Sequence, residues 1–266
     1  MSIGFVGAGK MAEAIMAGLI RQQFAQPGQI LASDVSEERL AALRQQYKIQ
    51  VTRQNAEVVE QAECCVLAVK PQQLEAVLRE IAPLVTPDHL ILSIAAGKQT
   101  AWLESLLPQG RVVRVMPNIA CLAGEGMNVY TRGARATEED AAAASELLGC
   151  CGLALELPES QFDAVTALSG SGPAFFAWVL DRLVDGAVQE GLSRDQALVL
   201  AGQTMQGTAR LLLATGMEPA DLAASVTSAK GTTAEGRAVL ENEATADVLK
   251  RTVQAAARRS RELGLA

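Results

Sequence analysis

The sequence predicts a doubly wound α/β domain followed by an all-helical domain. Short apolar runs alternate with amphipathic helical stretches over the first 158 residues. A glycine-rich turn stands directly between the first such run and the first helical stretch. After Pro158 no strand-like run occurs, and long helical stretches take over. The expected division is therefore residues 1–158 for the α/β domain and 159–266 for the helical one.

Each element has its own signature. Residues 3–6, 30–33, 49–52, 64–69, 90–94 and 111–116 are short, apolar and rich in β-branched side chains, as buried parallel strands require. Stretches 11–21, 37–46 and 74–81 carry helical periodicity between them. Two further runs, 127–130 and 153–157, flank the alanine-rich helix 138–148 and are expected to extend the same sheet. Beyond them, helices are expected at 173–190, 194–214, 219–225 and 246–263. Gly191 and Gly216 stand where helix C-caps belong, and Ser193 where the next helix starts. Stretch 174–188 is apolar around most of its circumference, so it should be buried, between subunits if not within one.

Composition narrows the function classes. The chain has 266 residues, and domains of roughly 150 residues make that about two. With 49% hydrophobic and 20% charged residues it folds rather than staying disordered. Its 23 basic against 30 acidic residues give a net charge of −7, which argues against nucleic acid as a partner. The longest apolar runs fall far short of the ~20 residues that cross a bilayer, so no membrane association is expected. The first residues lack a basic flank and run straight into the glycine turn, so no signal peptide is expected. Five cysteines without C-x-x-C spacing read as buried packing residues in a reducing cytoplasm. The single histidine, His89, sits at a turn before a strand; with it alone, neither a metal site nor a Ser-His-Asp triad is expected.

Gly7-Ala8-Gly9-Lys10-Met11-Ala12 matches G-x-G-x-x-A between strand and helix. The first glycine permits the turn, and the second lets backbone approach a pyrophosphate. The small Ala12 brings helix and strand together, and the helix start offers amides to the phosphates. This marks a Rossmann-type dinucleotide site. Asp34 ends the second strand, where the adenosine ribose is expected; its carboxylate suits a 2′-hydroxyl. Ser33, Ser36 and Arg39 lie around it and can receive a 2′-phosphate instead, and Asp34 can equally cap the helix that follows. NADPH and NADH both stay open.

From here the residues become specific. Gly4-Phe5-Val6-Gly7-Ala8-Gly9-Lys10-Met11, Ala68-Val69-Lys70-Pro71, Ser93-Ile94-Ala95-Ala96-Gly97 and Arg114-Val115-Met116-Pro117-Asn118 are joined by two later blocks. Those are Leu168-Ser169-Gly170-Ser171-Gly172-Pro173-Ala174 and Ser228-Ala229-Lys230-Gly231-Thr232-Thr233. In this order, over nearly the whole length, the chain resembles pyrroline-5-carboxylate reductase. The resemblance implies an NAD(P)H-dependent reduction of 1-pyrroline-5-carboxylate, a small cyclic imino acid, to L-proline. It implies cofactor-holding positions at Val6, Gly7, Ala8, Gly9, Lys10 and Met11, then Asp34 and Asn55, then Ala68, Val69, Lys70 and Pro71, then Ile94, Ala95 and Ala96. It places the substrate at Glu159, Ser228, Gly231, Thr232 and Thr233, and it implies a homodimer through the helical domain, assembled further in some members into a ring of dimers.

Departures are visible as well. Ala229 and Lys230 replace the family's proline and first glycine, and Ile119-Ala120 replaces its Thr-Pro after Asn118. A protonated cyclic imine is itself electrophilic, so the protein needs no strong acid; Thr233 is the candidate for a hydrogen bond to the ring nitrogen. Thr233 can alternatively be a plain helix cap. Two other classes remain to be weighed. A β-hydroxyacid dehydrogenase would want a catalytic lysine in the helical domain, where only Lys230 and Lys250 occur. A non-catalytic binding relative would have no need of both the glycine turn and the Ser228/Thr232/Thr233 set.

Overall fold

The computed structural model describes residues 1–242 and 244–264. The apolar runs form strands β1 (Ile3–Val6), β2 (Ile30–Ser33), β3 (Gln50–Thr52), β4 (Cys64–Leu67), β5 (Leu90–Ser93), β6 (Arg111–Met116), β7 (Gly126–Arg132) and β8 (Gly152–Glu156). They make one sheet in the order β3-β2-β1-β4-β5-β6-β7-β8. From β3 to β6 every pairing is parallel. β1, β2, β4 and β5 are buried along their whole length, which is why they show no polar alternation.

Helices α1 (Lys10–Arg21), α2 (Glu37–Tyr47), α3 (Asn55–Gln61), α4 (Pro71–Ile81), α5 (Thr100–Leu106) and α6 (Glu138–Gly149) cover the two faces. One core gathers Phe5, Ile15, Leu19, Leu92 and Leu147, and the other gathers Val6, Val58, Leu74, Leu78 and Ile91. Neighbouring residues of a strand therefore serve opposite cores, as the two-residue repeat demands. The seven-residue helices α3 and α5 were not visible as periodic stretches, because two turns are too short to display an apolar face.

β7 pairs antiparallel with β6, whereas β8 pairs parallel with β7. The reason is the length of the connections. Between β6 and β7 lies only a short 3-10 turn, Ile119–Ala123, too little chain for a parallel crossover, while α6 supplies one between β7 and β8. Asn118 shapes that turn: its Oδ1 accepts from the amides of Ala120 and Met127, each at 3.2 Å. The Ile119-Ala120 departure is thus accommodated by an asparagine cap. Behind β7, the buried Asn128 donates to the carbonyls of Leu148 (3.2 Å) and Leu153 (3.3 Å), tying strand to helix α6.

The chain forms two compact units, 1–171 with the segment from Ala256 on, and 172–255. The compact helical unit thus begins thirteen residues beyond the expected division at 158. Phe162 and Val165, in the one-turn helix α7 (Phe162–Val165), are buried with Val129 of β7, and the Ser260 hydroxyl donates to Asp163 at 2.7 Å. A π-turn, Thr166–Gly170, follows α7, with the Ser171 amide bonded to the Thr166 carbonyl at 2.8 Å.

The second unit is helical, as expected: α8 (Gly172–Gln189), α9 (Arg194–Thr215), α10 (Pro219–Ser225), α11 (Thr232–Asn242) and the first part of α12 (Thr245–Gly264). Helix α11 is an addition to the sequence expectation, which anticipated only its start. Ser193 and Gln196 form a capping box at the start of α9, and Gly216 ends that helix in the left-handed region. α8 and α9 pack against each other, with Arg194 reaching Asp185 at 2.9 Å. Yet Phe176, Trp178 and Leu183 of α8 stay exposed at 57%, 64% and 58%, so the burial expected for this apolar helix is not met within the chain. All five cysteines are free and buried. Burial raises the Cys65 thiol to about 12, which fits packing rather than reactivity.

Candidate active site

The first unit builds one site at the carboxyl ends of β1, β2, β4 and β5, where strand order reverses between β1 and β4. Gly7 leaves β1 with φ +94, and a side chain there would run into the backbone of Ala68 and the Val69 side chain. The turn after β1 thus lies against the start of the β4–α4 connection, where the Ala68 amide donates to the Val6 carbonyl at 2.8 Å. Gly9 differs: it is the N-cap of α1, and a Cβ built on it meets nothing within 4 Å. No side chain caps α1, so its first-turn amides have no side-chain acceptor. Val6 and Ala8 are fully buried beneath that opening, whereas Lys10 is exposed at its rim and Met11 is half-buried. A Gly-x-Gly turn before an uncapped helix start is a cradle for a diphosphate.

Asp34 ties the second strand to this cradle. One carboxylate oxygen accepts from the Ala8 amide at 2.9 Å, and the other from the Ser36 amide at 2.9 Å. The helix cap itself is Ser36, whose hydroxyl accepts from the Arg39 amide at 3.2 Å. Ser33 is fully buried and donates to Asn55 Oδ1 at 2.8 Å, while Asn55 donates to Glu80 at 3.0 Å. Asn55 therefore supports the strand end, with both ends of its amide already engaged.

Ala68, Val69, Lys70 and Pro71 lead from β4 into α4, with Lys70 at the N-cap and Pro71 at the first helical position, where its missing donor costs nothing. Ile94, Ala95 and Ala96 follow β5; Ala95 is buried and Ala96 exposed. A cleft of about 380 Å³ lies here, lined by Pro71, Ala96, Gly97, Lys98, Thr166 and Ser260 among others. Thr166 and Ser260 were not foreseen, since nothing in their local sequence marks them.

Glu159 stands beside this loop with its carboxylate already committed. It accepts from the Thr100 amide at 2.8 Å, the Thr100 hydroxyl at 2.7 Å and Arg114 at 2.9 Å. Arg114 also lies over the Phe162 ring at 4.6 Å. Glu159 thus holds the start of α5 to β6. Burial by itself would raise its carboxyl, but the bonds from Arg114 and Thr100 outweigh that and hold its pKa below the ordinary value. His89 is a turn residue, its ring within 2.9 Å of the Val59 carbonyl. Elsewhere in this unit the Tyr47 phenol, raised first by burial, donates to Glu13 at 3.1 Å.

The remaining expected residues lie in the second unit. The Gly231 amide bonds the Ser228 carbonyl at 3.0 Å, and a side chain on Gly231 would collide with the Ser228 hydroxyl. This tight loop opens α11 at Thr232, so Thr233 sits inside the first turn rather than at its cap. Ser228, Thr232 and Thr233 are exposed, and no hydrogen bond within the described residues engages the Thr233 hydroxyl. Lys230 adopts φ +58, the conformation for which the family's glycine is suited, at a cost of about 1–2 kcal/mol for a side-chain-bearing residue. Among the described residues no helix is long and apolar enough to cross a membrane.

Residues 159–263 match the family model described as pyrroline-5-carboxylate reductase dimerisation, and residues 2–97 match the one described as NADP oxidoreductase, coenzyme F420-dependent. The pyrroline-5-carboxylate reductase of Methanosarcina acetivorans is 45% identical over 263 residues, 98% of this chain and 97% of that protein. The chain belongs to the pyrroline-5-carboxylate reductase family. The solved reductase of Coxiella burnetii superposes with a TM-score of 0.93 at 31% identity, covering 98% of each chain. That of Plasmodium falciparum, described with NADP bound, gives 0.89 at 28% identity, covering 99% of this chain and 98% of the other. The eight-stranded sheet and the helical second unit match the fold of the solved reductases.

The lowered pKa of Glu159 sets an expected pH signature. A carboxylate depressed in the folded state stabilises above its unfolded value, about 4.3, and loses that contribution as pH falls through the folded value. Glu159→Gln should therefore lower the unfolding free energy near neutral pH by about 1–3 kcal/mol for a partly buried ion pair, with the deficit shrinking below pH ~4. Thermal unfolding of both proteins across pH checks this; an equal deficit at every pH contradicts a charge-based role.

Proposed function

We propose that the chain reduces 1-pyrroline-5-carboxylate to L-proline, with NADPH or NADH held at the glycine turn. The observation that carries this reading is the uncapped start of α1 facing open space at Gly9, in a chain matching reductases over 98% of its length. The bound dinucleotide supplies the hydride. Everything else the reaction needs is binding and charge placement, because the carbon of a protonated cyclic imine already accepts hydride readily.

The residues divide accordingly. The amides of Gly9, Lys10 and Met11 are assigned to the diphosphate, with Val6, Gly7 and Ala8 forming the floor of the turn. Asp34 is assigned to the adenosine ribose side, and Asn55 supports that strand end through Ser33. Ala68, Val69, Lys70, Pro71, Ile94, Ala95 and Ala96 are assigned to the rest of the dinucleotide. In the second unit, Ser228, Gly231, Thr232 and Thr233 are assigned to the substrate. The dipole at the start of α11 favours its carboxylate, and the exposed Thr233 hydroxyl can reach the ring nitrogen. Glu159 acts on the substrate side through Thr100 and Arg114, which it already holds.

The helical unit is also assigned to self-association. α8 and α9 leave Phe176, Trp178, Val199 and Leu200 exposed, an apolar surface that a monomer would present to water. A homodimer through this unit covers it, and a ring of dimers extends the same principle. Light scattering at micromolar concentration should give at least twice the chain mass; a monomer contradicts the assignment.

Two substitutions test the site. Gly9→Val places a branched side chain in empty space, so the protein should stay folded with an unchanged thermal midpoint. Its dinucleotide binding, followed by nicotinamide fluorescence, should be lost. Parent-like affinity would remove the glycine turn from the cofactor site.

Thr233 is tested by turnover of the cyclic imine, read from nicotinamide absorbance. Thr233→Val keeps the shape and removes the hydroxyl. Losing one uncharged hydrogen bond worth about 0.5–1.5 kcal/mol lowers turnover several-fold to roughly tenfold. Dinucleotide affinity should not change, and Thr233→Ser should restore most of the rate. Equal rates for parent and valine variant would leave the backbone amides as the only contribution of that helix start.

A further inference from the structure

The surroundings of the carboxyl end of β2 decide which adenosine ribose the glycine turn accepts, and here the sequence left two readings open. Arg39 is the cation placed to receive a 2′-phosphate, but its guanidinium is already committed. Its Nε donates to the Ala8 carbonyl at 2.6 Å, and a terminal nitrogen donates to Glu13 Oε2 at 2.6 Å. Glu13 is fixed in turn, because the Tyr47 hydroxyl donates to its other oxygen at 3.1 Å. The Arg39 and Glu13 side chains are only 28% and 19% exposed. At such a distance and burial, the carboxylate neutralises most of the guanidinium's field.

Of the neighbouring hydroxyls only that of Ser36 keeps a hydrogen to offer a phosphate, and it carries no charge. Ser33 is fully buried with its hydroxyl on Asn55, and the Ser36 hydroxyl caps α2 through the Arg39 amide. The charges that remain at the strand end are predominantly negative, since Arg53, just after β3, already pairs with Glu37 at 3.8 Å. Asp34 is locked in place by the Ala8 and Ser36 amides, and Glu37 and Glu38 follow in the first turn of α2. A 2′-phosphate would meet that negative charge with its natural counter-ion already paired, whereas a 2′-hydroxyl can donate to Asp34.

We propose that Glu13, by holding Arg39, is a specificity-determining residue that makes this chain select NADH over NADPH. The proposal rests on the glycine turn being a dinucleotide site, and it adds which dinucleotide and which residue decides. Asp34 supplies the acceptor for the 2′-hydroxyl; Glu13 withholds the cation that would compensate a phosphate. Tyr47 takes part as the group that orients Glu13.

The test is a pair of binding titrations, NADH and NADPH separately, followed by nicotinamide fluorescence on the full chain and on Glu13→Gln. The parent should bind NADH at least tenfold more tightly than NADPH. Glu13→Gln keeps a side chain of the same shape but frees the Arg39 charge, so NADPH affinity should rise fivefold or more while NADH affinity stays within twofold. Should that variant fail to fold, Tyr47→Phe loosens Glu13 without removing a charge and should shift NADPH affinity in the same direction by a smaller factor. A parent that binds NADPH as tightly as NADH or more so overturns the proposal. So does a Glu13→Gln, or in its place a Tyr47→Phe, that moves both affinities equally or neither. NADH-selective binding without turnover of the cyclic imine would overturn the proposed reaction and leave this inference standing, whereas binding of neither dinucleotide would overturn both.

Discussion

The backbone crossing at Gly7 governs much of the first unit. β1 lies between β2 and β4, and the chain must leave it by a turn that passes directly over the start of the β4–α4 connection. Only a residue without Cβ, at φ +94, fits between that turn and Ala68. Once it fits, α1 starts immediately with Gly9 as its N-cap, right after the carboxyl end of β1. Asp34 then reaches back from β2 to the Ala8 amide, so the second strand end is registered against the first. The glycine turn and the end of β2 are thus parts of one hydrogen-bonded unit.

A second tie holds the far side of the site. Glu159 links Arg114 on β6 to the first turn of α5, and α5 follows directly on the β5 loop that carries Ala95 and Ala96. An ion pair so placed contributes little as a surface contact, but with Arg114 against the Phe162 ring and only 8% exposed it is shielded from solvent. Beside it, Phe162 and Val165 pack on Val129 of β7 and Ser260 of α12 bonds Asp163, which joins these segments to the sheet. The link from α7 into α8 runs through a π-turn, a form of helix often found at functional sites.

The second unit solves a different problem. Its helices carry more apolar surface than they hide, with Phe176 and Trp178 more than half exposed. Helix ends are well specified by Ser193, Gln196 and Gly216, and an Asp181/Asp185/Arg194 group joins α8 to α9. Caps and ion pairs fix where helices begin and how neighbours meet, but they do not cover apolar faces. Lys230, in the loop before α11, likewise holds a positive φ that strains a residue with a side chain.

The sequence alone determined the succession of strands along the first unit, the glycine turn, the caps at Ser193 and Gly216 and the helical character after Pro158. All of these depend on patterns between residues close in the chain: two-residue and 3.6-residue repeats, or the φ that one position must adopt. The short helices α3 and α5, the antiparallel β7 and the boundary beyond α7 were decided by the tertiary structure. Their causes are connection length and packing between residues distant in sequence, Phe162 against Val129 or Arg114 against Glu159. The site divides the same way. Gly7, Gly9, Asp34 and Pro71 are legible because their roles follow from local backbone demands. Whether Arg39 was free, whether Thr233 was a cap and whether Glu159 was open to solvent were not legible. Each depends on which partner a side chain finds across the fold, and only the three-dimensional arrangement brings Glu13 to Arg39 and Thr100 to Glu159.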